Sequence, residues 1–164
     1  MKIAAAEHGG SIISGGERRG VISIWADRTV SSTPKEFDAH ELKITGLAFL
    51  NRNEAFVSTS EDGAIALWKA DGTPISRASA HPNKVRQLLR HPTDGEILTI
   101  GDDRMLRVWG QDLKSMGSIS LPAAASIFNL SGDNSRLVVV LENGKALTVP
   151  SSIEQLHAAL SAQP

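Results

Sequence analysis

Residues 58–68 read Ser58-Thr59-Ser60-Glu61-Asp62-Gly63-Ala64-Ile65-Ala66-Leu67-Trp68, and residues 99–109 read Thr99-Ile100-Gly101-Asp102-Asp103-Arg104-Met105-Leu106-Arg107-Val108-Trp109. Each runs from a hydroxyl residue through an acidic turn into a short apolar strand that ends on tryptophan. The acidic and glycine residues supply the backbone conformations a tight hairpin needs, and the strands alternate like half-buried ones. A third tryptophan, Trp25, closes Val21–Trp25, with Ile12–Ser14 and a Gly15-Gly16 turn before it. The tryptophans lie 43 and 41 residues apart, which marks a repeat. Upstream strands are expected at Lys2–Ala6, Lys43–Leu50 and Lys84–Arg90, and more polar outer strands around Lys35–Phe37 and Ile75–Arg77. Four antiparallel strands per unit with no helix between them predict stacked sheets rather than a sandwich.

The repeat extends to the polar residues. His40, Ser58 and Asp62 stand 28, 10 and 6 residues before Trp68, and His81, Thr99 and Asp103 stand at the same offsets before Trp109. In these residues the chain resembles the WD-repeat β-propeller family, over nearly its whole length to about Pro150. The resemblance implies an all-β fold of about four blades, at 1–39, 40–80, 81–120 and 121–150. It also implies a hydrogen-bonded network of His40, Ser58, Asp62 and Trp68, repeated by His81, Thr99, Asp103 and Trp109, with Ser14 and Trp25 as a partial copy. An indole N–H can only donate, a hydroxyl donates and accepts, and imidazole relays to a carboxylate, so the residue types suit such a chain.

The departures are local. Arg19 takes the aspartate offset in the first unit, and Ala26, Lys69 and Gly110 follow the tryptophans where the family usually has aspartate. The fourth unit keeps the period in Leu137–Val140, Glu142-Asn143-Gly144 and Ala146–Val149, but Asn143 stands for the aspartate and Val149 for the tryptophan. Residues 151–164 are expected to form a helical tail, from a capping box of Ser152 and Gln155 and the spacing of Ile153, Leu156 and Leu160.

The chain has 164 residues, 41% hydrophobic content, a formal net charge of -1 and no cysteine. That composition is globular, excludes disulfides and thiolate chemistry, and gives no global pull toward nucleic acid or an anionic membrane. The longest strongly apolar run, Leu137–Leu141, is far short of the roughly 20 residues of a membrane helix. A cytoplasmic protein is the default expectation.

Serine or threonine with histidine and aspartate has the makeup of a hydrolase triad. Here the set occurs twice, uses threonine once and lacks the Gly-x-Ser-x-Gly elbow, so a structural network is expected and no catalytic residue is assigned. His81 with His91, and His8 with His40, lack metal-ligand spacing, and the acidic turns lack a calcium-loop pattern, so no metal or cofactor is expected.

The resemblance therefore implies a protein-protein interaction scaffold that binds a peptide or protein on the loop face. Lys43, Ser60, Glu61, Lys84, Arg86 and Asp102 are the candidates there. Lys84, Arg86, Arg90 and His91, joined by Arg77, could form a basic groove, although a solvated face explains them too. The other reading is a regulatory or targeting segment of a larger multidomain protein. Four blades would cover a little over half of a ring, so a longer chain, self-association or a partner chain is expected to complete the propeller.

Overall fold

A computed structural model of the chain describes residues 1–5, 11–16, 20–25, 33–50 and 54–151. Apart from Ser151, the expected helical tail lies outside the described residues, as does Arg19.

The strands form four antiparallel meanders. The first sheet holds β1 (Lys2–Ala5), β2 (Ile12–Gly15), β3 (Val21–Trp25) and β4 (Lys35–Asp38). The second holds β5 (Ile44–Leu50), β6 (Ala55–Ser60), β7 (Ala64–Lys69) and β8 (Pro74–Ser79). The third holds β9 (Val85–Arg90), β10 (Ile97–Gly101), β11 (Met105–Trp109) and β12 (Ser115–Ser120). The fourth, among the described residues, holds β13 (Ala125–Leu130), β14 (Arg136–Leu141) and β15 (Ala146–Pro150). No helix among the described residues is long and apolar enough to cross a membrane.

Register explains the repeat. Straight across the sheets run the rows Ile3-Ser14-Ser23-Glu36, Leu47-Ser58-Ala66-Arg77 and Leu88-Thr99-Arg107-Ser118. Each tryptophan pairs two positions before the hydroxyl, opposite Ile12, Phe56 or Ile97. Ser14 therefore occupies the hydroxyl position although it lies one residue further from its tryptophan, the extra residue being taken up in the turn.

The core lies between the sheets. Ile13, Ile22 and Ile24 of the first meet Phe49, Phe56 and Trp68 of the second. Val57, Ile65 and Leu67 of the second meet Val85, Leu88 and Trp109 of the third. Leu98, Leu106 and Val108 of the third meet Phe128, Leu137 and Val139 of the fourth. Alternation along a strand thus sends one residue to each neighbour, and β6 is buried on both faces while β14 alternates between exposed and buried. Each sheet has a back face, toward the preceding sheet and carrying the tryptophan where one is present, and a forward face toward the next. The Trp68 indole stands edge-on to Phe37 of the first sheet, with ring centroids 5.0 Å apart. Burying an indole removes about 150–250 Å² from water, which makes the tryptophans the largest single anchors of these junctions.

The hairpin residue after the network aspartate locks each sheet to the next. Gly63 has φ of 82°, and its carbonyl accepts from Ala80 N–H at 2.8 Å and His81 N–H at 3.0 Å. A Cβ at this position would overlap the His81 carbonyl. Gly20 does the same for Ala39 and His40, and Arg104, left-handed at φ 60°, does it for Leu121. The segment that delivers each histidine is thereby held by the turn of the sheet before it.

Candidate functional site

Two networks cross the back faces of the second and third sheets. In the second, Trp68 Nε1–H donates to Ser58 Oγ at 2.8 Å, and His40 Nε2 lies 2.8 Å from the same oxygen. Indole cannot accept, so Ser58 accepts from Trp68 and gives its own hydrogen to His40 Nε2. His40 Nδ1–H then donates to Asp62 at 3.1 Å. In the third sheet Trp109 Nε1 donates to Thr99 Oγ1 at 3.0 Å, Thr99 meets His81 Nε2 at 2.9 Å, and His81 Nδ1 meets Asp103 at 2.8 Å. In the second sheet the polarity runs one way and requires a neutral imidazole protonated on Nδ1; in the third, Arg107 Nη1 also lies 2.5 Å from His81 Nδ1. Protonating Nε2 would leave the hydroxyl with two donors and no acceptor for its own hydrogen.

Electrostatics agree with that tautomer. Burial pushes both histidines below the ordinary imidazole value, outweighing the attraction of Asp62 for His40 and of Asp103 for His81. Burial also pushes the aspartates up, but hydrogen bonds, joined at Asp103 by the Arg107 cation, carry them below the ordinary carboxylate value. For Asp62 these are the Ala64 and Glu41 backbone N–H groups and His40; for Asp103 they are Arg107 and His81.

The arginines are a feature that motif spacing did not reveal. Arg77 donates to Asp62 at 2.9 Å from the outer strand β8 and reaches the Ala39 carbonyl, just past the end of β4, at 2.9 Å. Arg107 reaches Asp103 at 2.6 Å from within β11. The two cations serve equivalent carboxylates from different register positions, so no repeat signal marks them.

Ser58 and Thr99 are completely buried and already bonded to a tryptophan and a histidine. Such a hydroxyl has no free approach for a substrate. His91 is buried too, with Nε2 3.4 Å from the Asn134 carbonyl, and His8 lies outside the described residues. Among the described residues no cluster of three or more metal-ligating side chains occurs. In the first sheet no hydrogen bond joins Trp25 to Ser14 among the described residues. Both are half-buried and line an open cavity of about 340 Å³ with Met1, Ser23 and Glu36.

The partner-binding candidates gather at the end of the sheets that carries the β6–β7, β10–β11 and β14–β15 turns. Lys43 is exposed, and its carbonyl accepts from Glu61 N–H at 2.9 Å. Lys84 Nζ binds Glu61 at 2.7 Å, from the third sheet to the second. Arg86 binds Asp102 within its sheet and Glu142 of the fourth at 2.6 Å. Ser60 is different: it is fully buried, and its hydroxyl accepts from the Asp62 N–H at 3.1 Å, which takes it off that surface. The cations Lys84 and Arg86 are thus interleaved with carboxylates and do not form a basic groove. Glu142 was not singled out from the sequence, because its unit lacks the polar motif. Nor was Gln87, whose side-chain amide clasps the Phe128 backbone of the fourth sheet at 2.8 and 3.1 Å.

Comparisons with known proteins agree with this architecture. Residues 31–69 match the family description "WD domain, G-beta repeat". The chain is 32% identical over 71 residues to polyadenylation factor subunit 2 of Candida albicans, covering 43% of this chain and 13% of that protein. It is 29% identical over 79 residues to target of rapamycin complex subunit LST8 of Saccharomyces cerevisiae, covering 48% and 26%. It is 38% identical over 64 residues to nuclear distribution protein nudF 2 of Aspergillus clavatus, covering 39% and 14%. Among solved structures, a chain from "Crystal Structure of Mitotic Checkpoint Complex" superposes with a TM-score of 0.79 at 21% identity, over 92% of this chain and 50% of that one.

Proposed function

The chain belongs to the WD-repeat β-propeller family, and from that premise we propose that it is a non-catalytic scaffold binding a protein or peptide at the turn end of its blades. The observation that carries this is the ladder of ion pairs from Glu61 to Lys84 and from Asp102 through Arg86 to Glu142. Charges tied from blade to blade are held in place before a partner arrives, which lowers the ordering cost of binding. With exposed Lys43 the patch carries both signs, so its complement is a polar protein surface of mixed charge rather than a uniformly acidic peptide or nucleic acid. The setting is taken to be the cytoplasm.

A regulatory or targeting segment of a larger protein is the second reading, favoured by the 13–26% of each relative that the matched regions span. Both readings use the same surface.

Affinity capture with immobilised wild-type chain and with the Lys84→Ala/Arg86→Ala variant, read by quantitative mass spectrometry, tests the proposal. Partly exposed ion pairs are worth about 0–1 kcal/mol each, so the variant should stay folded and lose the proteins that the wild type retains. Retention of the same proteins by a folded variant would refute the turn-end site.

A further inference from the structure

The two outermost faces of the stack are of opposite kind. At the three interior junctions a forward face meets a back face, and the same row and tryptophan positions recur each time. Among the described residues, the back face of the first sheet and the forward face of the fourth have no sheet against them. The first shows the row Ile3-Ser14-Ser23-Glu36 with Trp25 beside it, the counterpart of Leu47-Ser58-Ala66-Arg77 and Trp68, which the first sheet itself covers. The second shows Ile127, Asn129, Val138, Val140, Ala146 and Thr148, where Val138 and Val140 stand at the positions that Leu98 and Ile100 hold in the third sheet.

Exposed apolar side chains concentrate on these faces. Of the seven large exposed hydrophobic residues among the described ones, Met1 (66% exposed) and Ile3 (58%) belong to the first, and Ile127 (53%), Val138 (37%) and Val140 (37%) to the second. Only Ile75 and Met116 lie elsewhere, on outer strands. Ile127 sits at the position of Gln87, so the polar clasp used between the third and fourth sheets is replaced here by an aliphatic contact.

The geometry points to head-to-tail pairing of two copies, the fourth sheet of each seating on the first sheet of the other. A heterologous contact closes when its rotation divides the circle. This chain aligns with 50% of the length of a longer chain of the same fold, which leaves about one further arc of this size to complete a ring. At each of the two new junctions the cavity around Trp25 receives the aliphatic face of β14. This pairing is independent of the turn-end surface, which lies along the strand ends rather than the sheet faces.

Sedimentation equilibrium and native mass spectrometry of the full chain at tens of micromolar test the pairing, and the expected mass is twice the 17.5 kDa of one chain. Val138→Lys places a positive charge on the forward face, and Ile3→Glu places a negative one on the back face. Both sit on open faces, so circular dichroism should show an unchanged fold. Burying an unpaired charge weakens association by roughly a hundredfold or more, so each variant alone should run as a monomer. Mixed one to one, the two variants form one unaltered junction, the Val138→Lys back face on the Ile3→Glu forward face, and bring the two opposite charges together at the other, so dimer mass should return. A monomeric wild type, a dimer insensitive to either substitution, or a mixture that stays monomeric would overturn the proposal.

Discussion

Replacing Thr99 by valine probes the buried network at constant volume. The hydroxyl accepts from Trp109 Nε1 at 3.0 Å and bonds His81 Nε2 at 2.9 Å, and Thr99 is completely inaccessible. A methyl group in its place opens no cavity but leaves one donor and one acceptor unpaired in a site that water cannot reach. Each such group costs about 1–3 kcal/mol, and valine recovers part of this because it buries no hydroxyl of its own, so the net loss should be about 3 kcal/mol. For a chain of this size that lowers the melting temperature by about 6–12 °C. Differential scanning calorimetry at neutral pH, with exposed Thr93→Val as the control, reads the effect directly. In a Trp109→Phe background the donor is already gone, so Thr99→Val should cost about 1 kcal/mol less there than alone. A drop below about 2 °C, or strict additivity with Trp109→Phe, would show that the hydroxyl is not the hub of the network.

Acid should destabilise the fold in two stages. Unfolded histidine takes up a proton near about pH 6.5, whereas His40 and His81 stay neutral in the fold to lower pH. The unfolded chain then binds more protons, and stability must fall as pH drops below that value. A further loss is expected as pH falls through the ordinary carboxylate range, where Asp62 and Asp103 take up protons in the unfolded chain before they do in the fold. Urea midpoints that stay flat between about pH 7.5 and 5.5 would contradict the neutral tautomer. Separately, Gly63→Ala and Gly144→Ala impose the same left-handed strain of about 1–2 kcal/mol, at φ 82° and 78°, but only the first drives a Cβ into the His81 carbonyl. Gly63→Ala should therefore melt several degrees lower than Gly144→Ala; equal melting would remove the turn carbonyl as the lock between sheets.

Much of this architecture is written in residues that repeat. Trp25, Trp68 and Trp109 each needed a strand end, and the Asp-Gly turn a hairpin, so the expected strand Lys43–Leu50 is observed as Ile44–Leu50 and Lys84–Arg90 as Val85–Arg90. The positions of His40, Ser58, Asp62 and Trp68 could be read because their chemistry constrains all four at once. What escaped was whatever did not repeat. Arg77 and Arg107 reach equivalent aspartates from different strands, Gln87 acts only at one junction, and Glu142 matters through Arg86, a neighbour in space and not in sequence. Ser60 sits beside a turn, which suggests exposure, but a strand buried on both faces carries its burial to the last residue.

Because the apolar clusters lie between sheets, no blade owns its own core. Melting one blade would strip a face from each neighbour, so the interior blades should open only with much of the chain, while the outer two lose a single junction each. The free-energy landscape of such a stack is that of a short row of coupled elements, fraying inward from its ends. Amide exchange of the dilute, unpaired chain should accordingly be slowest in β6 and β10 and quicken toward β1 and β15.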